Sequence, residues 1–163
     1  MINSRKELQD LRRGLKAGLD KQTLKVLVCA GTGCIAGGSI DIYNRLSELM
    51  KEKELPYTIA LEEDPHDDSI GLKKCGCHGF CEMGPLLRID PQGWLYTKVK
   101  IEDCEEIIER TIIGGEIIER LAYHKNGEIY PKQDDIPFYK KQTRVVLEHC
   151  GHIDADSIRD YIA

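Results

Sequence analysis

No apolar run in the chain approaches the roughly 18 residues that a membrane-spanning helix needs. There is no basic excess either. The formal net charge is −5, which argues against a generic nucleic-acid binder. The opening stretch, MINSRKELQDLRRGLKAGLDKQ, is charged and lacks the apolar core of a secretory leader, so a cytoplasmic protein is expected. No C-x-x-C pair is present, and "CGC" is too short to replace it, which counts against thioredoxin-type dithiol chemistry. The seven cysteines are an odd number and cannot all pair within the chain. In a reducing compartment, clustered thiols point instead to metal or redox chemistry. What is present is a globular composition, 41% hydrophobic and 31% charged, over 163 residues: one domain with room for extra segments.

Residues 4–20 read as a helix with Leu8, Leu11, Leu15 and Leu19 on one stripe; Gly14 and Gly18 weaken it, so it needs a packing partner. "LKVLVCA", 24–30, reads as a buried strand. A glycine-rich turn follows, then a helix capped by Ser39 and running to about Lys53, with Ile42, Leu46, Leu49 and Met50 on one face. "YTIALE" after Pro56 is the second strand candidate, which makes a strand–helix–strand unit suited to a right-handed parallel crossover. Residues 62–68 form an acidic loop that includes His66. "PLLRID" and "WLYTKV" flank the turn signal "PQG" and read as a hairpin in which Trp94 and Tyr96 pack. A helix over 101–113 buries Ile101, Cys104, Ile108 and Ile112 before Gly114 and Gly115 break it. The string "EIIER" occurs within 105–110 and again at 116–120, read as two amphipathic helical pieces echoing by chance. Beyond Tyr123 the chain is turn-rich and then suggests two short helices broken at Gly151, an extension that packs on something else. The element order is the thioredoxin-like α/β plan: a four-stranded mixed sheet with flanking helices. The expected divisions are an N-terminal helical segment (1–22), the core domain (23–122) and a helical extension (123–163).

Four cysteines stand out. Cys29 and Cys34 are spaced C-x4-C, and Cys77 and Cys81 are spaced C-x3-C, with the crossover between them. In the expected fold both loops meet at one end of the sheet. Four thiolates suit a two-iron cluster. Gly31, Gly33, Gly37, Gly38, Gly76, Gly79 and Gly84 surround them and would let backbone N–H groups approach an anionic group. Spacing alone leaves structural zinc open, and unrelated buried thiols as well. Cys75 lies outside the pattern, as a neighbour on the strand entering the site or as a substitute ligand or hydrogen-bond donor. His78 reads as a loop neighbour, because one histidine beside four cysteines does not make a mixed centre. Cys104 and Cys150 read as small apolar residues, and His124, His149 and His152 show no metal spacing.

"CAGTGC" followed by "AGGS", then "GCHGFCEMGPLLRIDPQGWLYTKVKIEDCEEI", resembles the thioredoxin-like 2Fe-2S ferredoxin domain. More narrowly it is similar to the N-terminal domain of flavin- and NAD-binding subunits. These belong to NAD-linked, often electron-bifurcating, hydrogenases and formate dehydrogenases, and are related to the NADH-binding subunit of respiratory complex I. The resemblance covers roughly 24–113 and continues more weakly through "IERLAY" and "PFYKKQTRVVLEHCGHIDADSIRDYIA". It implies that Cys29, Cys34, Cys77 and Cys81 ligate one 2Fe-2S cluster. It also implies partners: a flavin- and NAD-binding protein or domain and other iron–sulfur subunits, which would carry FMN, NAD and a 4Fe-4S cluster. No "GRGGAGFP"-like stretch and no C-x2-C-x2-C motif occurs here, so no catalytic residue is assigned and the sequence reads as a fragment or a separately encoded piece. The expected function is electron transfer within such a complex. The alternatives are a free-standing ferredoxin, expected as a homodimer, and a zinc-stabilised interaction module. Neither nucleic acid nor a membrane span is expected.

Overall fold

A computed structural model describes residues 2–59, 61 and 68–163. The acidic loop expected at 62–68, with His66, lies almost wholly outside the described residues.

Helix α1 (Arg5–Asp20) begins at Ser4, whose hydroxyl accepts a hydrogen bond from the Glu7 N–H. Only its second half packs: Leu15 and Gly18 are buried, whereas Leu8 is exposed, so the expected four-leucine stripe is used in part. Strand β1 (Gln22–Cys29) is the centre of the sheet. A short helix α2 (Thr32–Ala36) occupies the glycine-rich turn, and α3 (Ser39–Glu52) follows. Gly38, at φ +91°, is the N-cap of α3, and Ser39 is its buried first residue, which corrects the expected cap by one position.

The five-stranded sheet has the order β2–β3–β1–β4–β5. The parallel partner of β1 is β3 (Ser69–Cys75), where sequence alone indicated residues 57–62. β2 is only Tyr57–Thr58, a short edge that pairs with β3. β4 (Leu87–Asp90) and β5 (Trp94–Tyr96) form the expected hairpin, with β4 antiparallel to β1. β3, β1, β4 and β5 are thus the four-stranded mixed sheet, with β2 added at its edge.

Alternation along the strands divides the core in two. Val26 and Val28 of β1, Ile70 and Leu72 of β3, and Leu87 and Ile89 of β4 pack with Ile42, Leu46, Leu49 and Met50 of α3. The same layer takes Cys104, Ile107 and Ile108 from the helix after β5. That helix passes from a 3₁₀ turn (Ile101–Asp103) through α4 (Cys104–Glu106) into π-helical turns (Ile107–Ile113); Ile101, expected in its buried stripe, is exposed. In the second "EIIER", residues 116–118 are non-helical and Glu119 and Arg120 enter a 3₁₀ turn (Glu119–Leu121); the Tyr96 hydroxyl accepts the Ile118 N–H at 3.1 Å.

The opposite face carries Leu27, Cys29, Cys75 and Leu95, and the extension covers it with Ile136 and Tyr139. β6 (Tyr123–Lys125) and β7 (Glu128–Tyr130) make a separate small hairpin, followed by α5 (Pro137–Lys140). Residues 142–157 run as turns to α6 (Ile158–Ile162), so the first of the two expected terminal helices shrinks to α5. Among the described residues no helix is long and apolar enough to cross a membrane.

Candidate metal centre

Cys29 and Cys75 are the last residues of β1 and β3 and stand side by side in register. The strand ends are tied together: the Cys29 N–H donates to Leu86 O at 3.0 Å, and the Ala30 N–H donates to Cys75 O at 2.8 Å. After Gly31 the chain turns into α2, which carries Cys34 into the interior. On the other side, residues 76–80 form a loop and Cys81 opens a 3₁₀ turn (Cys81–Met83). The structure therefore brings Cys29, Cys34, Cys77 and Cys81 to one end of the sheet, as the crossover topology demands.

Their thiols are mutual neighbours. Cys77 Sγ and Cys81 Sγ are 3.6 Å apart, and the Gly79 N–H donates to Cys77 Sγ at 3.3 Å. None of the seven cysteines is in a disulfide. The hydrogen bond from Cys34 holds the Cys29 thiol down at about 6; burial opposes this, and the N–H groups of Gly31 and His78 and the Cys77 thiol assist. Cys34 is pushed up, first by donating that bond and then by burial. Burial is also the main cause of the upward shift at Cys77. Four thiols gathered at one point are the donor set that an iron–sulfur centre uses, each losing its proton on binding. Cys29 and Cys34 are buried, Cys77 is half-buried and Cys81 is exposed, so the constellation is closed towards the sheet and open towards solvent.

The backbone leaves room for these sulfurs at two glycines. A Cβ on Gly31 would lie 2.9 Å from Cys77 Cβ and 3.1 Å from Cys77 Sγ; one on Gly84 would lie 2.8 Å from Cys34 Sγ. The site thus holds four sulfurs in a cradle that ordinary side chains would fill, which fits a multi-sulfur cluster.

Cys75 is engaged elsewhere. Its Sγ is 3.3 Å from His78 Nε2, both side chains are buried, and burial pushes the thiol up. Burial also pushes His78 down to about 3, so the imidazole is neutral. Sequence reasoning missed the residues that grip the cysteine loop from outside. Phe80 stacks on Phe138 with ring centroids 4.9 Å apart and meets the edges of Tyr123 and Tyr139 at 5.2 and 5.7 Å. The only signal for this was the aromatic content of "YHKNGEIY" and "PFYK".

A thioredoxin-like sheet with four thiols gathered at one end defines a class, the small iron–sulfur electron carrier. The comparisons make it particular. The family model for thioredoxin-like [2Fe-2S] ferredoxin matches residues 19–111, more than half of the chain, and the chain belongs to that family. It is similar to a 2Fe-2S ferredoxin of Clostridium pasteurianum, 28% identical over 88 residues that cover 54% of this chain and 76% of that protein. It is also similar to a 2Fe-2S ferredoxin of Aquifex aeolicus, 46% identical over 50 residues, 31% of this chain and 45% of the relative. The crystal structure of the wild-type thioredoxin-like [2Fe-2S] ferredoxin from Aquifex aeolicus superposes with a TM-score of 0.50 at 26% identity, covering 64% of this chain and 99% of that one. The protein is therefore an electron-transfer protein of the ferredoxin type, and its cofactor is a 2Fe-2S cluster, where spacing alone had left zinc open.

Proposed function

We propose that Cys29, Cys34, Cys77 and Cys81 are the four ligands of the cluster. We propose further that the protein works in the cytoplasm as a one-electron relay inside a multi-subunit NAD-linked oxidoreductase of the hydrogenase or formate dehydrogenase type. The observation that carries the ligand assignment is the meeting of the C-x4-C and C-x3-C segments at one end of β1 and β3, with Gly31 and Gly84 clearing space for the sulfurs. When bound, the cluster takes up and releases single electrons. The chain's own part is to hold and tune. Cys29 and Cys34 anchor from the buried side, Cys81 lies towards solvent, and the Gly79 N–H supplies a hydrogen bond to sulfur of the kind that adjusts potential.

The oxidoreductase context is supported by the resemblance of the extension to the connector of flavin- and NAD-binding subunits. In that context FMN, NAD and a 4Fe-4S cluster belong to partner subunits or domains. A second reading, a free-standing ferredoxin, is favoured by the names of the similar proteins, both 2Fe-2S ferredoxins.

Two experiments test these readings. Cys34→Ala and Cys77→Ala are expected to lose normal cluster incorporation, whereas Cys150→Ala retains it; equal iron and sulfide in all three variants would refute the ligand set. Recovery of the tagged protein with a flavoprotein that reduces it from NADH supports the complex. Recovery as a lone homodimer that no such partner reduces supports the free carrier.

A further inference from the structure

The carbonyl of His78, between Cys77 and Gly79, accepts two hydrogen bonds from the extension. One comes from the Tyr139 hydroxyl at 3.2 Å, the other from the Arg144 guanidinium. A second terminal nitrogen of Arg144 reaches the carbonyl of Cys150 at 3.4 Å, and the guanidinium lies over the Tyr139 ring, 5.2 Å from its centroid. The grip continues beyond Arg144. The Gly76 N–H donates to Ile153 O at 3.2 Å, and a Cβ at Gly151 would come within 2.6 Å of His78 Nδ1. A Cβ at Gly79 would lie 3.5 Å from Arg144 Nη2, so the guanidinium occupies the space next to the residue whose N–H bonds the Cys77 sulfur.

Arg144 also differs from the other arginines near the core. Arg88 is paired with Asp90, Arg45 with Glu105, and Arg120 with Asp103 and Glu106. The contacts of the Arg144 guanidinium among the described residues are the two carbonyls and the Tyr139 ring, and Asp134 and Glu148 line the same shallow cavity without an ion pair to it. Its fork is used on two neutral carbonyls and a ring, which fixes its position without cancelling its charge.

We infer that Arg144 is a positioning residue for the loop that carries Cys77 and Cys81, and that its uncompensated charge favours the more electron-rich state of the site. The charge role rests on the cluster reading above; the loop clamp rests only on the contacts just described. A fixed cation held on the cysteine loop stabilises added negative charge at the site more strongly than it would in bulk water. Charge and hydrogen bonding near the sulfurs are levers that set such potentials.

The test uses the full chain with Arg144→Gln and Arg144→Lys. In the cluster-free protein, exchange of the Gly79 amide hydrogen is expected to speed up by about tenfold or more in both variants, because neither side chain reproduces the fork that ties His78 to Cys150. In the cluster-loaded protein, a redox titration should place Arg144→Gln at a more negative midpoint potential than wild type, with Arg144→Lys displaced less because the charge is kept. Unchanged Gly79 exchange overturns the clamp. Equal potentials for wild type and Arg144→Gln overturn the charge role. If Arg144→Gln does not load, Arg144→Met, which also removes the charge, decides in its place: a midpoint more negative than wild type upholds the charge role, and an unchanged one overturns it. If wild type itself takes up no iron and sulfide, the ligand reading fails, and the exchange measurement still decides the clamp.

Discussion

Gly31 and Gly84 are glycines for reasons of space. Both have backbone angles open to any residue, φ −67° and −73°, so an added methyl would be opposed by the cysteines alone. At Gly33, by contrast, a Cβ would lie 3.4 Å from Cys81 Cβ and 3.8 Å from its Sγ, an ordinary contact. Gly31→Ala and Gly84→Ala are therefore expected to lower iron and sulfide content markedly, and Gly33→Ala to leave it near wild type. Quantifying cluster absorbance per chain in the three variants checks this ordering. The thiol pattern was legible because only particular residue types can bind iron. Arg144 and Tyr139 were not legible, because the atom they hold is the backbone carbonyl of His78, and a carbonyl leaves no signature in the residue that bears it. Of the glycines expected around the site, Gly31, Gly33 and Gly84 lie against Cys77, Cys81 and Cys34, whereas Gly37 packs on Pro85 and Gly76 faces Cys150 and Gly151. Which glycine faces which sulfur required coordinates.

β3 shows why one element escaped the sequence. "SIGLKKC" interrupts its apolar residues with Gly71, Lys73 and Lys74, so it lacks the continuous apolar run that marks a buried strand. Lys73 is nevertheless buried, because Asp160 of α6 meets its ammonium group with both carboxylate oxygens, at 3.0 and 3.1 Å. The partner lies 87 residues away, beyond any local pattern. Breaking such a pair strands a buried charge, so Asp160→Ala is expected to cost about 3–5 kcal/mol of unfolding free energy. Lys73→Met combined with Asp160→Leu should recover most of that loss; denaturant titration of the single and double variants measures it. The helix after β5 gives a second case. Tyr96 is fully buried, and its hydroxyl lies 2.7 Å from Thr111 Oγ1 while accepting the Ile118 N–H. Tyr96→Phe leaves that N–H unpaired in the interior and is expected to cost about 1–3 kcal/mol by the same measurement. The hairpin and α3 were legible because their apolar periods are local. The Ile118 segment was not, because the hydroxyl that accepts its N–H lies 22 residues away.

Across the whole molecule, the sheet has two differently built faces. One is an aliphatic layer under α3 and the following helix, visible in the sequence as repeating apolar positions. The other joins the cysteine loops to the extension through Ile136, Tyr139 and the aromatic group around Phe80. The sequence left this extension without a partner inside the chain, because its contacts are to loop backbone, to ring faces and to the isolated pairs Arg88–Gln133 (2.8 Å) and Lys73–Asp160. The extension thus supports the cysteine loop. The cluster depends first on the four thiols. The most direct test is the iron and acid-labile sulfide content of the anaerobically purified protein, with the visible spectrum of the same sample. About two irons and two sulfides per chain in a reddish-brown protein are predicted. One zinc per chain, no sulfide and no colour would contradict the central claim and return Cys29, Cys34, Cys77 and Cys81 to a structural role.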